Sequence, residues 1–142
     1  MHSIIEQYLK SNAFSKLIGM QFTIIKPGEI KYQLNVTPNH LATPNAAHGG
    51  LVSALVDGAL GVAGLSLVCS DNKVVSTVEY KINFLKPVTL NDVLIAHAKV
   101  LTSGKRILII ECEVFTNNNN NLVAKAIGTF NAYDAVKAGY VL

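Results

Sequence analysis

The stretch that decides the fold is NAAHGGLVSALVDGALGVAGLSLVC, residues Asn45 to Cys69. It opens with a His and two glycines, and from Leu51 onward Asp57 is its only charged side chain. An apolar run of this length predicts a long buried helix. It is also just long enough to span a membrane, but the acid at its midpoint and the absence of a flanking Lys/Arg bias favour burial inside the protein. We therefore expect no membrane insertion.

Small residues surround Asp57 on a helical wheel. The neighbours within one or two turns include Gly50, Ser53, Ala54, Gly61 and Gly64. Small side chains allow another backbone or a ligand to approach closely. A buried carboxylate without a partner is costly, so Asp57 either bonds to a polar group or acts as a base or nucleophile at a pocket edge. The helix alone leaves both interpretations open.

The motif His48-Gly49-Gly50 marks the start of this helix. The first N–H groups of a helix have no partner within it, and with the helix dipole they favour negative charge developing on a carbonyl oxygen. Gly49 and Asp57 are about 12 Å apart along the helix axis. One reactive carbonyl cannot touch both groups of a single helix. If both act on one substrate, the acid must meet another chain's glycine, as a symmetric homodimer would provide.

The rest of the 142-residue chain predicts one domain, residues 1–142, of the α+β class. An amphipathic helix with Ser3 as its N-cap comes first and extends to Met20. The sequence KPGE predicts a turn, followed by one strand before the central helix. Four strand signals then follow in series and predict an antiparallel meander packed on the helix. They are VVSTVEYKINFL, DVLIAHAKVL, RILIIECEVFT and LVAKAIGTFNAYD.

Two details of this meander can be tested against a structure. Alternation in VVSTVEYKINFL predicts Val78 and Tyr80 on one face and Thr77 on the other. The run of asparagines from Asn117 to Asn121 predicts a hairpin tip, because Asn tolerates left-handed backbone.

Composition excludes several classes of function. Only 15% of the residues are charged, which indicates that other subunits cover part of the surface. The net charge of +3, without a Lys/Arg cluster or any Trp, argues against nucleic-acid binding. Cys69 and Cys112 form no C-x-x-C motif and predict free thiols in a reducing cytosol. The N-terminus lacks the apolar run of a signal peptide, so we expect a cytoplasmic protein.

At this point the residues resemble a known family. The sequence HGGLVSALVD, followed by VVSTVEYKINFLKPV, resembles the hotdog-fold acyl-CoA thioesterases of the PaaI type, over about His40 to Tyr133. The resemblance implies a hotdog fold, in which a long helix is wrapped by a curved antiparallel sheet; the amphipathic helix predicted at the N-terminus precedes it. It also implies dimers joined through their sheets, often paired into tetramers, with active sites at the dimer interface. Hydrolysis of the acyl-CoA thioester then needs no cofactor.

The resemblance also implies roles for individual residues. Asp57 matches the helix acid that activates water or attacks the thioester carbonyl, and the Gly49 N–H would polarise that carbonyl. His48 matches the motif His and shapes the loop rather than transferring protons. Thr77 matches a Ser or Thr near the acid that the other chain contributes, where it orients the water.

The substrate-binding residues are less closely specified. Asn45 and Gly50 flank the motif, and the phosphates of coenzyme A would meet basic residues. The candidates are Lys86, Lys105, Arg106 and Lys81.

The chain departs from the family pattern just before the motif. Ala42 stands where many members carry an Asn, so this protein either lacks that amide or uses Asn39, His40 or Asn45 instead. Asn45 itself stands where the family commonly has Gly, and we expect it to adopt left-handed backbone.

Two other functions stay open. A dehydratase or hydratase acting on acyl thioesters would use His40 or His48 with Asp57. A non-catalytic subunit would bind acyl-CoA without cleaving it, although the presence of Asp57 argues against that. No metal is expected, because His2, His40 and His97 have no metal-ligand spacing around them.

Overall fold

A computed structural model describes residues 1–116 and 120–142. The helices are α1 (Ser3–Ser11), α2 (Ala13–Ile18) and α3 (Gly49–Val68). The strands are β1 (Gln21–Lys26), β2 (Glu29–Asn35), β3 (Lys73–Phe84), β4 (Val93–Ser103), β5 (Ile107–Thr116) and β6 (Leu122–Asp134). Short 3-10 turns lie at Pro38–His40, Cys69–Asp71 and Ala135–Ala138.

One antiparallel sheet of six strands wraps around α3. Its strand order is β1-β2-β4-β5-β6-β3, and α3 contacts all six strands. The predicted α+β hotdog fold, with a long central helix, a curved antiparallel sheet and an N-terminal helical segment, is confirmed.

Most of α3 is buried, as its hydropathy predicted. Leu55, Val56 and Leu60 are fully buried, whereas a stripe with Asp57 at its centre stays partly open. By length and composition the segment Gly49–Asp71 could cross a membrane, but 67% of its most apolar window is buried inside the fold. The sheet therefore supplies the apolar surroundings that this helix needs.

The N-terminal segment differs from its prediction. Two helices replace the single expected one, because the Asn12 side chain accepts a hydrogen bond from Ser15 N (3.1 Å) and starts α2. His2, not Ser3, caps α1 by accepting from Ile4 N. Leu17, which would lie on the apolar side of a single continuous helix, is 82% exposed.

The sheet also differs from a simple meander. Strand β1 was not predicted, and β3 pairs with β6 while β4 pairs with β2. The connection between β3 and β4 crosses the end of the sheet, where Val88 O accepts from Ala47 N (2.8 Å). It is long enough to separate the two strands, so sequence neighbours need not become sheet neighbours. Strand β3 consequently lies at one edge of the sheet.

Both cysteines are free and buried. Burial raises the pKa of the Cys112 thiol to about 12 and also raises the pKa of Cys69. The predicted asparagine hairpin tip falls partly on residues 117–119, which lie outside the described residues, and Asn120 adopts a left-handed φ of 51°.

Candidate active site

Asp57 and Thr77 form the polar centre of the candidate site. Thr77 Oγ1 donates a hydrogen bond to Asp57 Oδ1 of the same chain over 2.8 Å. Asp57 lies on the open stripe of α3, and Thr77 on the exposed part of β3. The bond occupies one carboxylate oxygen and leaves the other without a partner among the described residues, so that oxygen can accept a proton from water.

A β-bulge in β3 aims Thr77 at the helix. The register with β6 shifts between Thr77 and Glu79, so the alternation of faces reverses there. Thr77 contacts α3 before the shift, and after it Tyr80 OH donates to Ser53 O of the same helix (3.4 Å). The prediction that Thr77 and Tyr80 face opposite sides is therefore wrong, since strict alternation takes no account of a bulge.

His48 caps α3 with its ring. Its Nδ1 accepts a hydrogen bond from Gly50 N over 2.8 Å, and a Cβ added to Gly50 would lie 2.8 Å from that nitrogen. Gly50 is therefore required for the His48 ring to fold back, and its N–H is already used. Because the Nδ1 lone pair accepts this hydrogen bond, the geometry indicates that His48 shapes the start of the helix as its N-cap.

The Gly49 N–H is the free donor at this helix end. It has no acceptor within residues 1–116 and 120–142. A Cβ at Gly49 would meet only the Phe84 ring, at 3.7 Å. Gly49 and Asp57 lie on one continuous helix, about 12 Å apart along its axis. Within a single chain, the donor and the acid are therefore too far apart to contact the same carbonyl group.

The loop before α3 is closed by backbone and hydroxyl contacts. Ala42 N donates to Ala46 O (2.9 Å), and Asn45 N donates to Thr43 Oγ1 (3.4 Å). Asn45 is exposed and lacks the positive φ expected of it. The Thr43 hydroxyl provides the turn instead.

His40 and Asn39 lie in the 3-10 turn at the start of the same loop. His40 Nδ1 accepts from Thr37 N over 3.1 Å, and His40 O accepts from His48 N over 2.8 Å. His40 thus stabilises the loop ahead of the motif.

The candidate phosphate-binding residues lie at two different ends of β3. Lys86 follows Phe84 beside the Gly49 end of α3, and its Nζ donates to Asn121 Oδ1. Lys105 and Arg106 lie in the β4–β5 hairpin near Lys73, whose Nζ donates to Lys105 O. Lys81 is exposed in β3 between these ends. These basic side chains therefore do not form one cluster within a single chain.

A cavity of about 340 Å³ opens beside the Asp57–Thr77 pair. Gly58 and Gly61 of α3 line it, and Tyr8 and Tyr140 come from the two ends of the chain. Neither tyrosine was predicted from the sequence to belong to the site. No local pattern could identify them, because their positions depend on contacts between segments more than a hundred residues apart.

Metal-ligating side chains are scattered. Within residues 1–116 and 120–142, no three His, Cys, Asp or Glu side chains lie together in a way that could hold a metal ion.

The model of the thioesterase superfamily matches residues 45–123, which include the glycine motif, Asp57 and Thr77. The chain belongs to the thioesterase superfamily. The match covers more than half of the sequence and both parts of the candidate site. Thioester hydrolysis is therefore the reaction against which the geometry of this site is to be judged.

Known proteins agree with this assignment. Human acyl-coenzyme A thioesterase 13 is 23% identical over 128 residues, covering 88% of this chain and 89% of that protein. The E. coli PaaI protein from the phenylacetic acid degradation operon has the same fold, with a TM-score of 0.83 and 23% identity, covering 91% of this chain and 90% of that one. A Streptococcus mutans protein bound to acetyl CoA gives a TM-score of 0.71 at 23% identity, covering 81% and 89%.

Proposed function

We propose that the protein hydrolyses an acyl-CoA thioester to the free acid and coenzyme A. The observation that carries the proposal is the 2.8 Å bond from Thr77 to Asp57 at the mouth of a cavity. The family match and the relation to human acyl-coenzyme A thioesterase 13 support a thioester as the substrate. A neighbour in fold that binds acetyl CoA supports coenzyme A as its carrier.

In the proposed reaction, Asp57 acts as the general base. Thr77 fixes Oδ1, and the free carboxylate oxygen takes a proton from water as that water attacks the thioester carbon. The carbonyl oxygen gains negative charge, which an unpaired helix N–H stabilises. Collapse of the tetrahedral intermediate breaks the C–S bond, and the thiolate leaves and takes up a proton.

Direct attack by Asp57 is the other possible route. The carboxylate would form a mixed anhydride with the acyl group, which water then cleaves. Single-turnover hydrolysis in ¹⁸O-labelled water distinguishes the routes. When Asp57 attacks and water then cleaves the anhydride at the Asp57 carbonyl, the product acid carries a ¹⁶O atom that came from Asp57. When water attacks the thioester directly, the product acid carries ¹⁸O.

The free donor and the acid come together in a homodimer. Strand β3 ends the sheet, so its outer edge has no strand partner among the described residues. Gly49 lies beside Phe84, and Asp57 beside Thr77. Antiparallel pairing of β3 with its copy, about a twofold axis through the paired Lys81 residues, places Phe84 opposite the bulge beside Thr77 of the partner subunit. We propose that each site combines Gly49 of one chain with Asp57 of the other.

The variant Asp57→Asn tests the function directly. Loss of a general base lowers turnover by roughly 10²–10⁴-fold, measured as thiol release from a panel of acyl-CoAs. Asp71→Asn is the matched control, because it removes the same charge from an exposed position just after α3. Near-wild-type thiol release by Asp57→Asn would show that Asp57 is not the base.

Crotonyl-CoA separates the hydratase alternative. Water addition without thiol release would identify a hydratase. Binding of acyl-CoA with neither product would identify a non-catalytic subunit. Thiol release that depends on Asp57 supports the hydrolase.

A further inference from the structure

The cavity beside Asp57 follows one face of α3. Asp57, Gly58, Gly61 and Leu65 all line it, at spacings that bring residues onto one side of a helix. Asp57 and Leu65 are separated by about 12 Å along the axis. Leu65 and Val74, each 4% exposed, close the far end. The cavity therefore starts at the proposed base and ends about two helical turns away.

Packing explains one glycine of α3 but not another. A Cβ at Gly64 would lie 3.1 Å from Ile110 Cδ1 and 3.3 Å from Val75, so any larger residue there would crowd these core side chains. A Cβ at Gly61 would approach nothing nearer than Phe130 Cε2, at 3.6 Å, which is an ordinary contact. Glycine inside a helix costs about 1 kcal/mol relative to alanine. The space that Gly61 leaves open belongs to the cavity.

The two ends of the chain supply part of the cavity wall. The Gln7 side chain bonds twice to Val141: its Nε2 donates to Val141 O (2.7 Å), and its Oε1 accepts from Val141 N (3.0 Å). Tyr8 and Tyr140, the sequence neighbours of this bonded pair, both line the cavity. This part of the wall is thus aromatic, and the Gln7–Val141 bonds hold it in place.

We propose that this cavity receives the acyl group, an inference that rests on the proposed thioesterase function. Gly61 and the aromatic wall set its breadth, and Leu65 and Val74 limit its length. The cavity has room at Gly61, one turn from Asp57, and is closed after two turns, which fits an acyl group with a ring or branch close to the carbonyl better than a long straight chain. Gly61 is then a specificity-determining residue.

The variant Gly61→Ala tests the breadth of the cavity. One methyl group in an apolar pocket changes discrimination by roughly 10-fold or more. We expect kcat/KM to fall by about that factor for isovaleryl-CoA and phenylacetyl-CoA and to stay within about twofold for acetyl-CoA. The helix gains propensity, so the melting temperature should not fall.

Gly104→Ala is the matched control. It adds the same methyl group in the β4–β5 hairpin, where the nearest atom would be Ile107 O at 3.6 Å. Its acyl preference should equal that of the wild type. Equal losses on all three substrates in Gly61→Ala, or no loss on the branched and aromatic ones, would overturn the assignment.

Tyr140→Ala tests the aromatic wall, because losing that side chain opens the cavity to a longer acyl chain. The wild type should prefer isovaleryl-CoA to decanoyl-CoA, and the variant should raise the decanoyl-to-isovaleryl ratio of kcat/KM. A wild-type preference for decanoyl-CoA, or an unchanged ratio, would contradict the proposal.

A binding measurement keeps this inference separate from the function. Calorimetry with S-isopentyl-CoA and S-ethyl-CoA, thioethers that cannot be hydrolysed, should show that Gly61→Ala weakens only the isopentyl compound. If the wild type hydrolyses no acyl-CoA, the proposed function fails while this comparison still tests the cavity. If turnover is normal but the two thioethers lose equal affinity, the cavity assignment fails alone.

Discussion

At the scale of single residues, Gly49 and His48 have separate tasks at the start of α3. His48 adopts φ −63° and ψ 136°, an extended conformation that is compatible with a following proline. Gly49 is the first helical residue, a position that tolerates proline because its N–H has no partner within the helix. A proline at position 49 would therefore remove the backbone N–H while preserving the helix.

Gly49→Pro should abolish most turnover without unfolding the protein. Removing one oxyanion donor costs roughly 10²–10³-fold in kcat. Gly49→Ala, which keeps the N–H and meets only the Phe84 ring at 3.7 Å, is the control and should remain active. Thiol release and the melting temperature measure the two effects. Full activity in Gly49→Pro would remove this amide from the mechanism.

His48→Asn should keep both stability and turnover, because Asn is a good N-cap and can accept from the same amide. His48→Ala loses the cap and should destabilise the protein by about 1 kcal/mol. Denaturant unfolding and the pH dependence of kcat/KM check the pair. A proton-transferring His48 would instead make the Asn variant as inactive as the Ala variant.

At the scale of elements, the bulge in β3 depends on a glycine in the neighbouring strand. Gly128 pairs with Tyr80 just after the register shift. A Cβ there would lie 2.9 Å from Tyr80 Cβ, 3.0 Å from Glu79 O and 3.1 Å from Leu60 Cδ1. Two of these contacts involve atoms held by the backbone, so the neighbours cannot simply rotate away.

Gly128→Ala should therefore destabilise the protein by about 1–3 kcal/mol, the usual cost of overpacking. Turnover should fall as well, because moving β3 moves Thr77. Denaturant unfolding of this variant beside Gly104→Ala separates the steric effect from a general effect of replacing glycine. Equal stability of the two variants would contradict the close packing at Gly128.

The same elements show what a sequence can predict. The position of α3 is encoded locally, in the apolar run and the glycines before it: the helix begins at Gly49 of the motif and ends at Val68, next to Cys69. The face of the sheet on which Thr77 lies depends on a β-bulge, which a strictly alternating pattern cannot predict. The pairing of β3 with β6 and the meeting of Gln7 with Val141 join distant segments. These depend on the folded sheet rather than on any short motif.

At the scale of the whole molecule, the separation of donor and acid on α3 makes a shared site testable. Asp57→Asn and Gly49→Pro each spoil every site of a homodimer. Co-expressed, they form mixed dimers in which one of the two sites has both groups intact. We expect roughly a quarter of wild-type turnover from random mixing.

The control for this experiment is a mixture of the two variants purified separately and assayed before subunits can exchange. It should stay inactive. If co-expression restores nothing although sizing shows dimers, the acid and the amide do not act on one substrate.

The buried thiols have a practical consequence for studying this molecule. Cys69 and Cys112 are 5% and 0% exposed, and burial raises the pKa of both. A coloured disulfide reagent should leave the native protein untouched and react at once with released coenzyme A, so turnover can be followed continuously. In the absence of substrate, the slow reaction of the same reagent with the protein should proceed only as fast as the fold opens. The same reagent then measures both the rate of turnover and the rate of unfolding.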